Sequence, residues 1–256
     1  MQIRFITLNI EHGGKLFENI VSFVKDEKPD ILAFQEVYHS SLINRKKRFR
    51  AFSEFGKSFK KLLPFSAFQS AYFAITEIEE GAEHGNAVFS RFKIINNTKT
   101  EVGAPYGVID EKVISDFSVT PRIMQHVELD IEGKSVNVFN LHGIWGFDGL
   151  DNEKRVEMAK RISLKIKSKK NIILAGDTNL TVSAEKTIKI IKDCGLKSIF
   201  GDSLVSTFNM NHKSDKGYSA AAVDMIFISK NIKVISKSQP IVDVSDHYPL
   251  MVELEI

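Results

Sequence analysis

Ser245-Asp246-His247-Tyr248-Pro249-Leu250 sets a carboxylate beside an imidazole just before an apolar run, Leu250-Met251-Val252. Proline fixes its own φ and pushes the residue before it toward extended backbone, so the pair is expected at the entrance to a strand. Aspartate can hold a hard cation or orient a histidine, and histidine can donate to a phosphate or take a proton from water. One such pair in a loop is ordinarily a solvated turn. Its weight comes from the other places where polar residues gather at the ends of apolar runs.

Those runs extend back along the chain. Strands are predicted at residues 223–228, 232–235 and 250–256. Residues 171–175 read as a buried strand emptying into Gly176-Asp177-Thr178-Asn179. Residues 122–130 and 135–141 alternate apolar and polar around Glu132-Gly133-Lys134, a hairpin pattern, and the second arm runs into His142-Gly143. Residues 3–10 form an apolar strand ending in Asn9, Glu11 and His12. Beyond Gly13-Gly14, Leu16, Ile20, Phe23 and Val24 recur at helical spacing up to Pro29-Asp30. Residues 31–34 are a buried strand closing in Gln35-Glu36. Residues 65–73 and 87–89 are strand-like, separated by an acidic loop at 77–85; residues 96–120 read as strand and loop, and 200–220 as a polar loop. Further helices are predicted at 40–63, 151–168 and 183–194. The first carries Leu42, Phe49, Phe52, Phe59 and Leu63 on one side and Arg45, Lys46, Lys47, Arg48, Arg50, Lys57, Lys60 and Lys61 on the other. Strands outnumber helices and hairpins alternate with single helices, which gives an α+β class with helices packed on sheets. Without a repeat, linker or low-complexity tract, residues 1–256 read as a single domain.

Composition narrows the function classes. Of 256 residues, 43% are hydrophobic and 26% charged, ordinary for a globular protein with a sizeable core. Nineteen Phe against one Trp and five Tyr make the aromatic content mostly core filler. The net charge of +3 permits an anionic partner without requiring one. A single cysteine, Cys194, rules out an intrachain disulfide and suits a reducing compartment. No apolar run approaches the ~20 residues of a membrane span, and Met1-Gln2-Ile3-Arg4-Phe5 lacks a signal-peptide pattern. The expectation is a cytoplasmic monomer without stable membrane insertion.

Asn9 and Glu11, Glu36, His142, Asp177 and Asn179, Asp224, and Asp246 and His247 each lie at or beside a strand end. Strand ends of packed sheets can converge on one rim. Carboxylates gathered there would repel one another, so a divalent cation is the natural partner. An oxygen-rich set without a Cys pair or a closely spaced His pair suits Mg²⁺ or Mn²⁺ better than zinc.

Leu8-Asn9-Ile10-Glu11, Gln35-Glu36-Val37, Gly85-Asn86-Ala87-Val88-Phe89-Ser90-Arg91, Asn140-Leu141-His142, Gly176-Asp177-Thr178-Asn179, Val223-Asp224-Met225-Ile226-Phe227 and Ser245-Asp246-His247 together resemble the endonuclease/exonuclease/phosphatase family, in the family's order and over nearly the whole chain. The family includes deoxyribonuclease-I-like nucleases, abasic-site endonucleases, tyrosyl-DNA phosphodiesterases, neutral sphingomyelinases and inositol polyphosphate phosphatases. The resemblance implies a two-layer β-sandwich flanked by helices, the deoxyribonuclease-I-like four-layer αββα fold, with a Mg²⁺-dependent site at one edge.

Carried over by motif, the resemblance makes Glu36 the main metal ligand, with Asn9, Glu11 and Asp246 beside it. Glu11 stands where the family usually has Asp or a non-acidic residue. Asp177 activates or orients the attacking water, Asn179 holds Asp177, Asp224 orients His247, and His247 and His142 contact the phosphate. On the substrate side, Asn86 is expected to support the site through a hydrogen bond, and Arg122, after Pro121 at a strand start, either binds near the phosphate or is a surface strand-end residue. Gly176-Asp177-Thr178-Asn179-Leu180 is the form of the tyrosyl-DNA phosphodiesterase branch, whereas Tyr248-Pro249 is the commoner family form. The implied activity is metal-assisted attack of water on a phosphate ester by a metal-dependent hydrolase, with nucleic acid, DNA or RNA, as first-choice substrate. The alternatives are an inositol-phosphate phosphatase or sphingomyelinase-like lipid phosphodiesterase, and a non-catalytic binding module. His12 and His84 match no catalytic role and are expected as solvated loop residues. The basic residues of 45–61 are either a solvated face or a surface for a phosphate backbone.

Overall fold

The computed structural model of the chain describes residues 1–76, 81–213 and 221–256; the predicted loops at 77–85 and 200–220 lie partly outside them. Thirteen strands among the described residues form two sheets. The first contains β1 (Gln2–Asn9), β2 (Ile31–His39), β3 (Phe65–Ile75), β4 (Ala82–Ser90), β6 (Val108–Asp110), β12 (Lys233–Ser238) and β13 (Leu250–Glu255), in the order β12-β13-β1-β2-β4-β3-β6. The second contains β5 (Lys93–Glu101), β7 (Ile123–Ile131), β8 (Lys134–Leu141), β9 (Ile172–Asp177), β10 (Leu196–Ser198) and β11 (Asp224–Ser229), in the order β10-β11-β9-β8-β7-β5.

Alternation decides which face of each strand goes where. Ile3 and Phe5 of β1, with Leu250, Val252 and Leu254 of β13, turn inward and meet Val127, Val138, Ile173 and Ile226 of the other sheet in a dry core. The opposite face, Ile6 and Leu8, packs with Leu32 and Phe34 under α2 (Phe17–Glu27), which follows the single turn α1 (Glu11–Gly14), and under α3 (Ala51–Phe59). On the far side, α4 (Glu153–Ile166) and α5 (Glu185–Lys192) cover Phe139, Leu174 and Phe227. The result is helix, sheet, sheet, helix, the α+β four-layer architecture expected. No helix among the described residues is long and apolar enough to cross a membrane.

The helix predicted at 40–63 is shorter than its apolar spacing suggested. A 3₁₀ turn, Lys47–Arg50, leads into α3, and residues 40–46 are irregular. Leu42 and Ile43 are exposed, so they do not continue the stripe. Phe55 and Phe59 instead key into Phe34 and Phe89. The basic side is not uniformly solvated either: Arg45 is buried, Lys47 pairs with Glu18, and Arg50 and Lys57 share Glu54.

Register then places the polar strand ends. β1 runs parallel to β2 with Asn9 opposite Gln35, and antiparallel to β13 with Thr7 opposite Leu250. β8 runs parallel to β9 with Asn140 opposite Ala175, and β9 antiparallel to β11 with Asp177 opposite Asp224. Both sheets therefore deliver their polar ends to one edge of the sandwich. Beneath that edge Asn140 locks the sheets together, donating to the carbonyls of Phe34 (2.9 Å) and Ala87 (3.1 Å) and accepting from Gln35 (2.6 Å).

Candidate active site

Three local backbone features aim the side chains at that edge. Gly176 sits at φ +137°, and a Cβ there would meet the Leu141 carbonyl oxygen at 2.0 Å, so only glycine lets β9 approach β8 as it delivers Asp177. Glu36 has φ +59° and falls where the β2–β4 register shifts between Phe34 and Val37. Such bulges re-aim a side chain, and this one turns Glu36 into the cleft. Asn179 has φ +54°, a conformation its short amide tolerates.

The side chains interlock. Asn9 Nδ2 donates to Glu36 Oε1 (3.0 Å) and to Asp177 Oδ2 (3.1 Å), bridging the two carboxylates across the sheets. Glu36 Oε2 accepts from the His12 backbone N–H (2.9 Å), and Asp177 Oδ1 from the Asn179 N–H (3.0 Å). Asp177 Oδ2 also faces His142 Nε2 at 3.6 Å and His247 Nε2 at 3.9 Å. His247 Nδ1 meets Asp224 Oδ2 at 2.8 Å. Arg122 Nη1 lies 3.3 Å from His142 Nδ1; a guanidinium only donates, so Nδ1 accepts and the His142 proton resides on Nε2, facing the carboxylates. Ser245 Oγ donates to the Asn9 carbonyl (2.7 Å) and fastens the terminal loop to β1.

Burial and neighbours divide the charges. Burial opposes ionisation of Glu36, yet His12, His142 and His84, with the His12 N–H, hold its carboxyl well below the usual range. Burial, and Asp224 alongside, push Asp177 up to about 6 against the pull of His247, Asn9 and Asn179. Burial disfavours charge on His247, but Asp224, Asp246 and Asp177 outweigh it and push it up to about 10, making it an imidazolium at neutral pH. Burial and Arg122 lower His142 well below its ordinary value, so it is neutral.

Glu11, Glu36, Arg122, His142, Asp177, Asn179, Asp246 and His247 line one open cleft. Asn9 and Asp224 stand behind it, holding Asp177 and His247. Asn86 is not in the cleft wall: its amide donates to the Asn140 carbonyl (2.9 Å), inside the sandwich. Glu11 pairs with Lys15, and Asp246 accepts from Lys213 at 3.0 Å. His84 overturns the solvated-loop expectation. It lies buried in β4, stacked on Tyr72 with ring centroids 4.5 Å apart, and lines the cleft, as does His12. Sequence reading also passed over Lys213, Tyr72, Phe117, Trp145 and Phe208 in the cleft wall. Of these, the sole tryptophan, three residues beyond His142, was the one with a visible signal.

Among the described residues, no three His, Cys, Asp or Glu side chains gather at metal-binding spacing. The donor set nevertheless fits Mg²⁺, which is commonly held by one or two carboxylates and keeps several waters. Glu36, held ionised at the cleft wall, and Asp246 would supply those carboxylates.

Residues 6–247 match the model of the Endonuclease/Exonuclease/phosphatase family. Among solved structures, the family protein from Bacteroides vulgatus superposes with a TM-score of 0.72 at 20% identity, over 100% of this chain and 99% of that one. The mannosyl-6-phosphatase Bt3783 of Bacteroides thetaiotaomicron VPI-5482 gives 0.65 at 20% identity, over 99% and 100%. D. rerio TDP2, complexed with single strand DNA product, gives 0.68 at 14% identity, over 100% and 99%. No curated protein matches the sequence. At these identities the structures speak for the fold, and the match over residues 6–247 speaks for the lineage: the chain belongs to the Endonuclease/Exonuclease/phosphatase family of phosphoric ester hydrolases.

Proposed function

We propose that the chain is a Mg²⁺- or Mn²⁺-dependent phosphodiesterase acting on nucleic acid, DNA or RNA, as a cytoplasmic monomer whose residues 1–256 form one catalytic domain. One observation carries the reading. Asp177 Oδ2 lies 3.1 Å from the Asn9 amide, 3.6 Å from His142 and 3.9 Å from His247, a carboxylate framed by two imidazoles at a cleft wall. In this reading Asp177 orients the attacking water and accepts its proton, while Asn179 fixes the carboxylate through its backbone N–H. His247, charged and held at Nδ1 by Asp224, presents Nε2–H to a non-bridging phosphate oxygen. His142 presents Nε2–H to another, and Arg122 adds a positive charge behind it. Glu36 and Asp246, with Asn9 and Glu11 beside them, would hold the cation. When bound, that cation offsets charge on the phosphoryl and leaving oxygens. Donors aimed at developing charge are commonly worth ~3 kcal/mol each.

Nucleic acid is preferred for the Gly176-Asp177-Thr178-Asn179-Leu180 form, for the cationic groups His247, Arg122 and Lys213 around the cleft, and because a protein of the same fold, D. rerio TDP2, holds single strand DNA. The test is a screen with Mg²⁺ or Mn²⁺ over single-stranded and plasmid DNA, abasic DNA, tyrosyl-linked DNA, RNA, inositol phosphates, mannose 6-phosphate and sphingomyelin. Cleavage of a nucleic acid that EDTA abolishes is the expected result. Turnover confined to a sugar, inositol or lipid phosphate would replace the substrate, and silence on all with either metal would make the chain a binding module.

A further inference from the structure

The loop between β8 and α4 carries a feature that phosphate chemistry does not use. Trp145 and Phe117 line the same cleft as Arg122 and His142. Phe117 and Phe147 both meet the indole in T-shaped contact, with centroids 6.1 and 4.6 Å away, so neither lies parallel to it. The loop is fixed from below by Arg155 of α4, which is fully buried. Its Nε donates to the Ile144 carbonyl (3.2 Å), and its Nη1 to the Leu150 carbonyl (2.6 Å) and Asp148 (2.9 Å). Gly146 lies directly over the guanidinium, where a Cβ would come within 2.8 Å of Nη2. Thr181 donates its N–H to the Gly149 carbonyl (2.9 Å). Burying a guanidinium is costly unless it is paired. Here the cost holds one half-buried tryptophan against the cleft, a pre-organised surface.

We propose that Trp145, supported by Phe117 and Phe147, is the surface on which an unpaired nucleobase next to the scissile phosphate stacks, so that the substrate is single-stranded. The substrate class rests on the phosphodiesterase reading above. A flat π face beside phosphate-binding groups suits a ring tethered to that phosphate. Bases of a duplex are already stacked on one another, whereas those of a single strand offer their faces. A lipid surface is less suited, because Trp145 and Phe117 are half-buried within the cleft; of the three rings only Phe147 is exposed.

Trp145 is the only tryptophan, so intrinsic fluorescence reads this surface alone. The full chain in EDTA, without turnover, is titrated with oligothymidylate and with an abasic phosphodiester of equal length, binding being followed in parallel by anisotropy of labelled ligand. Expected are saturable quenching by oligothymidylate only, and about tenfold tighter binding of it than of the abasic strand. Trp145→Phe keeps that preference, and Trp145→Ala narrows it to within about twofold. Equal binding and equal quenching by both strands would overturn the proposal, as would a blue shift with phosphatidylcholine–sphingomyelin vesicles and no response to oligothymidylate. A chain that prefers the bases yet cleaves no phosphate ester upholds the stacking surface and breaks the hydrolase reading. A chain that cleaves nucleic acid without preferring bases does the reverse.

Discussion

At the floor of the cleft, Asp177, His142 and His247, with Asp224 behind them, are nearly fully buried, and each is held by a residue distant in the chain. At the rim, Trp145, Phe117 and Phe147 touch only edge to face, and Phe147 is 77% exposed. The floor is a network in which every group fixes another's proton or charge, so a change at one member is felt by all. The rim is a surface whose shape matters and whose members are independent of the network. Under the proposed function, such a division would let one set of groups break the phosphate ester while another selects what is attached to it.

The comparison breaks most sharply at His247. Its replacement by Ala removes the charged donor and strands Asp224, and turnover is expected to fall on the order of 10²- to 10³-fold with an unchanged circular dichroism spectrum. Removing the rim's anchor acts on stability instead. Arg155→Ala leaves the Ile144 and Leu150 carbonyls without their donor, and should lower the unfolding free energy by about 3 kcal/mol, read by denaturant titration.

His84 sharpens the picture of the cleft's dry wall. Burial holds its folded-state value down to about 4, against 6.5 ordinarily. Above 6.5 neither folded nor unfolded chain protonates it. As pH falls toward 4 only the unfolded chain takes up the proton, so stability is lost on acidification. Between pH 7 and pH 5 that loss is about 2 kcal/mol, and it should be missing from His84→Phe, which keeps a ring against Tyr72. Equal pH slopes in the two proteins would refute the assignment. The smallest effect belongs outside both regions. Lys57→Ala breaks an exposed pair with Glu54 and should change stability by less than about 0.5 kcal/mol, with turnover within twofold.

The floor was legible in the sequence because its carboxylates and imidazoles stand where apolar strands end. Asp177, Asp224, Glu36 and His247 could be named from where apolar runs stop. Apolar alternation likewise gave the α+β class. Of the rim only Trp145 stands out, as the sole tryptophan; the rest is not legible, because an aromatic residue in a loop looks the same whether it faces solvent or a cleft. His84 falls in the stretch 77–85, whose acidic residues and glycines Gly81 and Gly85 read as a loop. Gly85 instead lies within β4, where a Cβ would meet the Gln69 carbonyl oxygen at 2.0 Å, so it serves a close strand approach. The helix at 40–63 was overextended because Leu42 fits a helical stripe in spacing, while no core lies opposite it to bury that side chain. Arg155 gave no signal at all, since a buried and a solvated arginine are the same letter on a helix.

The central claim is that Asp177 serves the chemical step. It is tested most directly by single-turnover cleavage of a single-stranded oligonucleotide by wild type and Asp177→Asn, at saturating Mg²⁺ and matched fold. The account predicts that the wild type cleaves and that the variant, isosteric and still able to accept from Asn179 N–H, is slower by on the order of 10²-fold or more. A variant that cleaves at the wild-type rate would contradict it.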